Sequence, residues 1–154
     1  MILTLIVIGA GGLGLGMRTN YDFSLTTATV RYVPQDLGFD GQLGFVFDGG
    51  HNFLIGGAII VPMFHTKYAN LNLDGGLSYF NSEHEAGIVR RKVNFLEFHL
   101  HPEVELIFLT KNLCLEFKIP LLSLGFDFEN DEEFISILMK ENWIFPVFGF
   151  HFYF

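Results

Sequence analysis

The chain has 154 residues, enough for one domain and too few for two well-filled cores. Charged residues make up only 17% beside 19 Phe, and a mean hydropathy of +0.38 means more apolar area than so short a chain can hide. A net charge of −8 excludes the basic footprint of nucleic-acid binding, and the single cysteine, Cys114, excludes an intrachain disulfide framework and a cysteine-based zinc cluster.

The first window, Met1 to Met17, carries no charge, but it is short for a membrane helix and holds five glycines, so a helix there is weak. Ile2 to Ile8 followed by small residues at Gly9 to Gly12 resembles a secretory signal without its basic start. Residues 1–12 therefore read either as a signal-peptide remnant or as the beginning of the first strand. Gly9, Gly11 and Gly14 spell G-x-G-x-x-G, a dinucleotide-binding spacing that works only where the glycines open a helix. Met17 to Tyr32 is rich in Thr and lacks helical periodicity. Gly12, Gly14 and Gly16 instead alternate with Leu13, Leu15 and Met17, as in a strand with one small and one apolar face.

The same period of two recurs downstream. Phe39, Gly41, Leu43, Phe45 and Phe47 oppose Asp40, Gln42, Gly44 and Val46, whereas Phe53 to Thr66 is apolar on both faces and takes its orientation from its neighbours. Leu71, Leu73, Gly75, Leu77 and Tyr79 oppose Asn72, Asp74, Gly76 and Ser78. From Asn94 to Phe108, Phe98, Leu100, Pro102, Val104 and Leu106 share one face, and Glu97, His99, His101, Glu103 and Glu105 the other. Leu113, Leu115, Phe117, Ile119 and Leu121 then oppose Cys114, Glu116 and Lys118. Prolines 62, 102, 120 and 146 each remove a ladder donor and predict bulges or strand ends.

Turn signals divide these runs into about eight strands. Short connections at Pro34 to Leu37, Lys67 to Asn70 and Thr110 to Asn112 alternate with the Thr19/Asn20 region and with longer ones at Asp48 to Asn52, Asn81 to Lys92 and Phe126 to Asn142. The expected fold is all-β: residues 1–154 form one closed antiparallel up-and-down transmembrane β-barrel, long loops at one end and both chain termini at the other. Closure is dictated by hydrocarbon, where unpaired backbone groups are prohibitive. In the last loop, Phe134, Ile137 and Leu138 fall at helical spacing behind Asp127, Glu129, Asp131, Glu132 and Glu133, which suggests a short helical lid on a solvated acidic loop. Arg90, Arg91 and Lys92 belong at the rim, where they could meet lipid phosphates.

Eight strands enclose a lumen that side chains fill. Arg18, Arg31 and Lys118 are expected to pair there with Asp40, Asp74, Glu97, Glu103, Glu105 and Glu116, joined by His99 and His101. Acids outnumber bases on this face, so a proton or a cation must offset the excess. His-x-His sets two imidazoles on one side about 7 Å apart by strand geometry. A metal would therefore draw on His99, His101 and Glu97, with Glu103 or His151 in reserve, although the ion-pair network is the favoured reading.

The final strand alternates Phe148, Phe150, Phe152 and Phe154 with Val147, Gly149, His151 and Tyr153. This ending resembles the C-terminal assembly signal of bacterial outer-membrane barrels, and "NLNLDGGLSYF" and "FLTKNLCLEF" are similar to segments of small porin-like or OmpA-transmembrane-like members. The resemblance implies residence in the outer membrane of a Gram-negative bacterium among lipid and lipopolysaccharide, and insertion by the barrel-assembly machinery. The expected state is a monomer without a cofactor, in a structural or surface-interaction role and not as a wide pore. Lipid A deacylases of this group carry a His-x-Ser pair; none occurs here, and no catalytic triad is recognisable, so no enzymatic activity is expected. The alternatives are an outer-membrane lipid-modifying enzyme and a soluble lipocalin-like barrel, in which the Phe/Leu face would turn inward around an apolar ligand.

Overall fold

A computed structural model of the chain describes residues 12–20, 26–34, 37–46, 50–86, 89–108, 112–137 and 147–154. These hold the strands β1 (Leu13–Asn20), β2 (Thr26–Tyr32), β3 (Gly38–Val46), β4 (Gly50–His65) and β5 (Ala69–Ala86). They continue with β6 (Val89–Ile107), β7 (Leu113–Lys118), β8 (Leu122–Asp127), β9 (Glu132–Ile137) and β10 (Val147–Tyr153). Neighbours from β1 to β6 pair antiparallel in chain order. Beyond β6, β7 and β8 lie end to end against it, and β10 and β9 lie end to end against them. The two pairs thus act as the seventh and eighth staves, and β10 returns to β1, opposing His151 to Gly16 and closing an eight-stave barrel.

Alternation sorts the side chains into two opposite environments. Leu13, Leu15 and Met17 of β1, Val30 and Tyr32 of β2, Ile55 and Ile59 of β4, and Phe148, Phe150 and Phe152 of β10 are exposed on the outer wall. The interior is polar: fifteen buried polar or charged residues stand against four buried hydrophobic ones, Val33, Ile60, Cys114 and Tyr153, among the described residues. The apolar run in β4 is resolved by this frame, with Ala58 and Ile60 inward and Ile59 and Val61 outward.

Three expectations are corrected. Asn81 to Lys92 is not a loop over most of its length, because β5 and β6 stay paired up to Ala86 and Val89, with Asn81 opposite Asn94 and Glu83 opposite Lys92. A ladder that rises into water carries polar residues on both faces, and such a composition resembles that of a loop. The helical lid is also absent from the described part of the last connection. Residues 128–131 form a tight turn and Glu132–Ile137 is a strand, with Ile135 opposite Leu124. Asp127 fixes that turn by accepting hydrogen bonds from the Glu129 N–H (3.0 Å) and Asn130 Nδ2 (2.6 Å), and Asp131 takes a left-handed φ of 53°. Residues 138–142 of the predicted loop lie outside the described residues.

The third correction concerns the seventh stave, whose alternation does not continue through Leu121. Glu103 opposes Lys118 but Leu100 opposes Leu122, so this stave carries one extra residue at 119–121, a bulge that turns Ser123 and Gly125 inward. Prolines account for its place. Pro120 has no N–H, and Pro102 points its carbonyl at the Ile119 N–H (3.0 Å), so its own missing donor faces the same gap. Pro62 likewise sits at a register shift, against β5. Pro146 lies outside the described residues, as do residues 1–11 and with them the question of a signal remnant.

Candidate functional site

The polar groups of the lumen meet because seven staves each turn ionisable or hydrogen-bonding residues inward. Arg18 of β1 donates to Glu116 through Nε (2.7 Å) and Nη2 (3.0 Å), and to Asp40 through Nη1 (2.8 Å) and Nη2. Arg31 of β2, fully buried, donates through Nη1 to Glu105 (2.9 Å) and Glu116 (3.3 Å), and through Nη2 to Glu103. Lys118 Nζ lies 2.7 Å from Asp74 Oδ2, 3.3 Å from Glu103 and 3.4 Å from Glu116. Register explains why the guanidinium is needed. Glu105 and Glu116 are direct cross-strand partners, a repulsive pair that Arg31 Nη1 bridges.

Neutral groups complete this network. Asn70 and Asn72 donate to Glu105 (3.1 and 3.3 Å), Asn72 also to Glu103 (2.7 Å), and the Tyr153 hydroxyl donates to Glu105 (2.8 Å). His151 stands between Thr29 Oγ1 (2.9 Å) and Glu116 Oε2 (3.1 Å). Inward glycines make room for these large groups: a Cβ on Gly149 would fall 2.9 Å from Arg18, and one on Gly76 2.7 Å from His99 Nε2.

Toward the loop end the packing opens into a cavity of about 150 Å³, lined in part by Arg18, Asp40, Gln42, Glu97, His99 and His101. His99 and His101 stack with ring centroids 4.6 Å apart, closer than strand spacing alone suggests. Asp74, directly across the ladder from His101, lies beneath them, with Oδ1 3.4 Å from His99 Nε2 and 3.9 Å from His101 Nδ1.

The residues expected in the lumen are thus distributed as follows. Arg18, Arg31, Asp40, Asp74, Glu103, Glu105, Glu116 and Lys118 are buried and joined by ion pairs, and His99 and His101 sit at the network's upper edge. Glu97 lines the cavity and makes no ion pair among the described residues. It is not brought to the two histidines; Asp74 is. Nor do Glu103 and His151 join them, since the former faces Arg31 and the latter Glu116. The network also takes in Asn70, Asn72, Thr29 and Tyr153, which the charged residues alone do not announce, although period two from Asp74, Arg31 and His151 leads to each of them. At the rim, Lys92 Nζ meets Glu129 at 2.7 Å, and this hydrogen bond and charge raise the amine above its ordinary range.

In fold the chain is similar to the N-terminal β-barrel domain of Pseudomonas aeruginosa OprF, with a TM-score of 0.62 and 16% identity over 92% of this chain and 95% of that one. A second similar structure is neisserial surface protein A (NspA), with a TM-score of 0.49 and 13% identity over 92% of this chain and 93% of the other. No protein-family model and no curated protein matches the sequence. The OprF likeness shows the fold, an eight-stranded antiparallel barrel of outer-membrane type.

Proposed function

We propose that this protein is an integral barrel of the bacterial outer membrane whose lumen is filled by polar side chains, with a structural or surface-interaction role. The observation that carries this reading is the inversion of the two faces. Leaving a Leu or Phe in water costs about 1.5–3 kcal/mol relative to burying it, and Leu15, Met17, Val30, Ile59, Phe148, Phe150 and Phe152 are among many so placed. In lipid the same side chains are solvated. A lipocalin-like soluble binder needs the opposite arrangement, with its apolar face around the ligand.

Three further features support the reading. Closure of β10 on β1 pairs Gly14–Asn20 with Val147–Tyr153 and leaves no free edge to hydrocarbon along that seam. The aromatic row of Phe148, Phe150, Phe152 and Phe154 is exposed on the closing stave, where an assembly factor could read it. At the other end the β5–β6 ladder and the 128–131 turn form a polar rim suited to lipopolysaccharide headgroups and to contacts outside the cell. Arg31 and its carboxylates fill the lower lumen, so the reading includes no wide pore.

Folded protein is expected to migrate differently from boiled protein on a gel, to insert into liposomes without other factors, and to precipitate when detergent is removed. A monodisperse monomer in plain buffer would overturn the proposal. Phe150→Arg is expected to destabilise the liposome-folded barrel by about 2–4 kcal/mol, the cost of arginine facing the bilayer midplane, measured by urea titration. Conductance in planar bilayers is expected to stay below that of a general porin.

A further inference from the structure

Among the described residues, two groups of carboxylate and imidazole atoms in the lumen are close enough to hold an ion: Asp40, Glu116 and His151, and Asp74, His99 and His101. The first already encloses a cation, since Arg18 donates to both carboxylates. In the second, the ammonium of Lys118 takes Oδ2 of Asp74 and leaves Oδ1 to the imidazole side. Asp74 is fully buried, yet its Oδ1 makes no hydrogen bond of good geometry and is aimed at the two imidazoles, the nearer at 3.4 Å. A buried carboxylate oxygen left bare is costly, so the position calls for a ligand.

Geometry and charge specify that ligand. A tetrahedral zinc ion with bonds of about 2.0–2.1 Å holds its donor atoms about 3.3–3.4 Å apart. Asp74 Oδ1 and His99 Nε2 stand 3.4 Å apart, and His101 Nδ1, at 3.9 Å, closes the difference by a small turn of its ring. Two protonated imidazoles would repel one another in the observed stack at 4.6 Å, whereas two neutral ones can share a metal. Among the described residues, the five buried carboxylates of Asp40, Asp74, Glu103, Glu105 and Glu116 stand with three buried cations, Arg18, Arg31 and Lys118, so that with neutral imidazoles two negative charges are left for a divalent ion to neutralise. Both histidines line the cavity, which supplies an entry path, and Glu97 on the same wall adds a carboxylate that draws cations inward.

We propose that Asp74 Oδ1, His99 Nε2 and His101 Nδ1 bind one divalent transition-metal ion of the zinc type, with water from the cavity in the open position. The site is independent of the role proposed above, since it needs only the folded lumen.

The test uses the whole chain, refolded in detergent, stripped of metal and checked for heat-modifiable mobility. Titration with Co²⁺ is expected to saturate at one ion per chain with the visible absorption of a tetrahedral nitrogen and oxygen site, and Zn²⁺ is expected to displace it. In the folded His99→Asn/His101→Asn variant, affinity is expected to fall at least about tenfold, whereas His65→Asn leaves it unchanged. Should the double variant not fold, X-ray absorption of the zinc-loaded wild type decides, with two imidazoles predicted around the metal. No saturable uptake, uptake unaffected by the double substitution, or a coordination shell without imidazole would each overturn the proposal.

Discussion

Replacing Arg31 by Met is expected to remove most of the folded, heat-modifiable form. Arg31 is fully buried and its two terminal nitrogens serve Glu103, Glu105 and Glu116, carried by β6 and β7 on the far side of the barrel. Without it, the facing carboxylates Glu105 and Glu116 are left without a bridge in a medium that cannot solvate them. Breaking a buried pair from one side costs about 3–5 kcal/mol, a large share of the roughly 5–15 kcal/mol that holds an ordinary domain together. Arg31→Lys is expected to recover little, because one ammonium cannot span three carboxylates in a fixed fork. Adding Glu103→Gln and Glu105→Gln to Arg31→Met is expected to restore much of the loss, since two of the three acids that needed the guanidinium are then neutral and the third, Glu116, keeps Arg18. Urea titration in detergent, read by gel mobility, measures all three. A wild-type midpoint for Arg31→Met would mean that the network does not hold the staves together.

Gly16→Ala is expected to prevent closure. Gly16 faces His151 across the β1–β10 seam, and a Cβ there would overlap the Phe150 carbonyl oxygen and lie 2.6 Å from the His151 ring. A flexible side chain could give way, but the backbone of the partner stave cannot move without breaking the ladder that closes the barrel. Overpacking typically costs about 1–3 kcal/mol when side chains can adjust, so a clash with backbone at the closing seam is expected to exceed that range. Gly41→Ala is the matched control, since its Cβ would meet nothing nearer than the Val30 carbonyl at 3.8 Å. The comparison is the fraction of each variant that becomes heat-modifiable, and equal fractions would contradict the seam argument.

The strand faces could be read from sequence because period two survives any register. Leu71, Leu73 and Leu77 remain opposite in sense to Asn72, Asp74 and Ser78 however β5 is paired. What could not be read is information held between strands. The loop reading of Asn81 to Lys92 failed because a paired ladder standing in water loses the apolar half of its alternation, which is the only local sign of a strand. Inside and outside exchange beyond Pro120 because one extra residue opposes β6 there; the proline marks a break in the ladder, but nothing local tells a bulge, which exchanges the faces, from a strand end. The candidate metal group shows the same limit. His99 and His101 are adjacent by period alone, but their carboxylate comes from β5 through the pairing of Asp74 with His101, and not from Glu97 on their own strand.

Membrane residence as proposed requires that the outer wall face hydrocarbon. Nitroxide labels placed singly at Leu15, Met17, Phe148, Phe150 and Phe152 in a Cys114→Ser background, with Asn130 in the upper turn as the aqueous reference, test it in liposome-folded protein. The five wall labels are predicted to be relaxed strongly by oxygen and weakly by a water-soluble nickel complex, and the Asn130 label the reverse. Wall labels as open to the nickel complex as Asn130 would contradict the account.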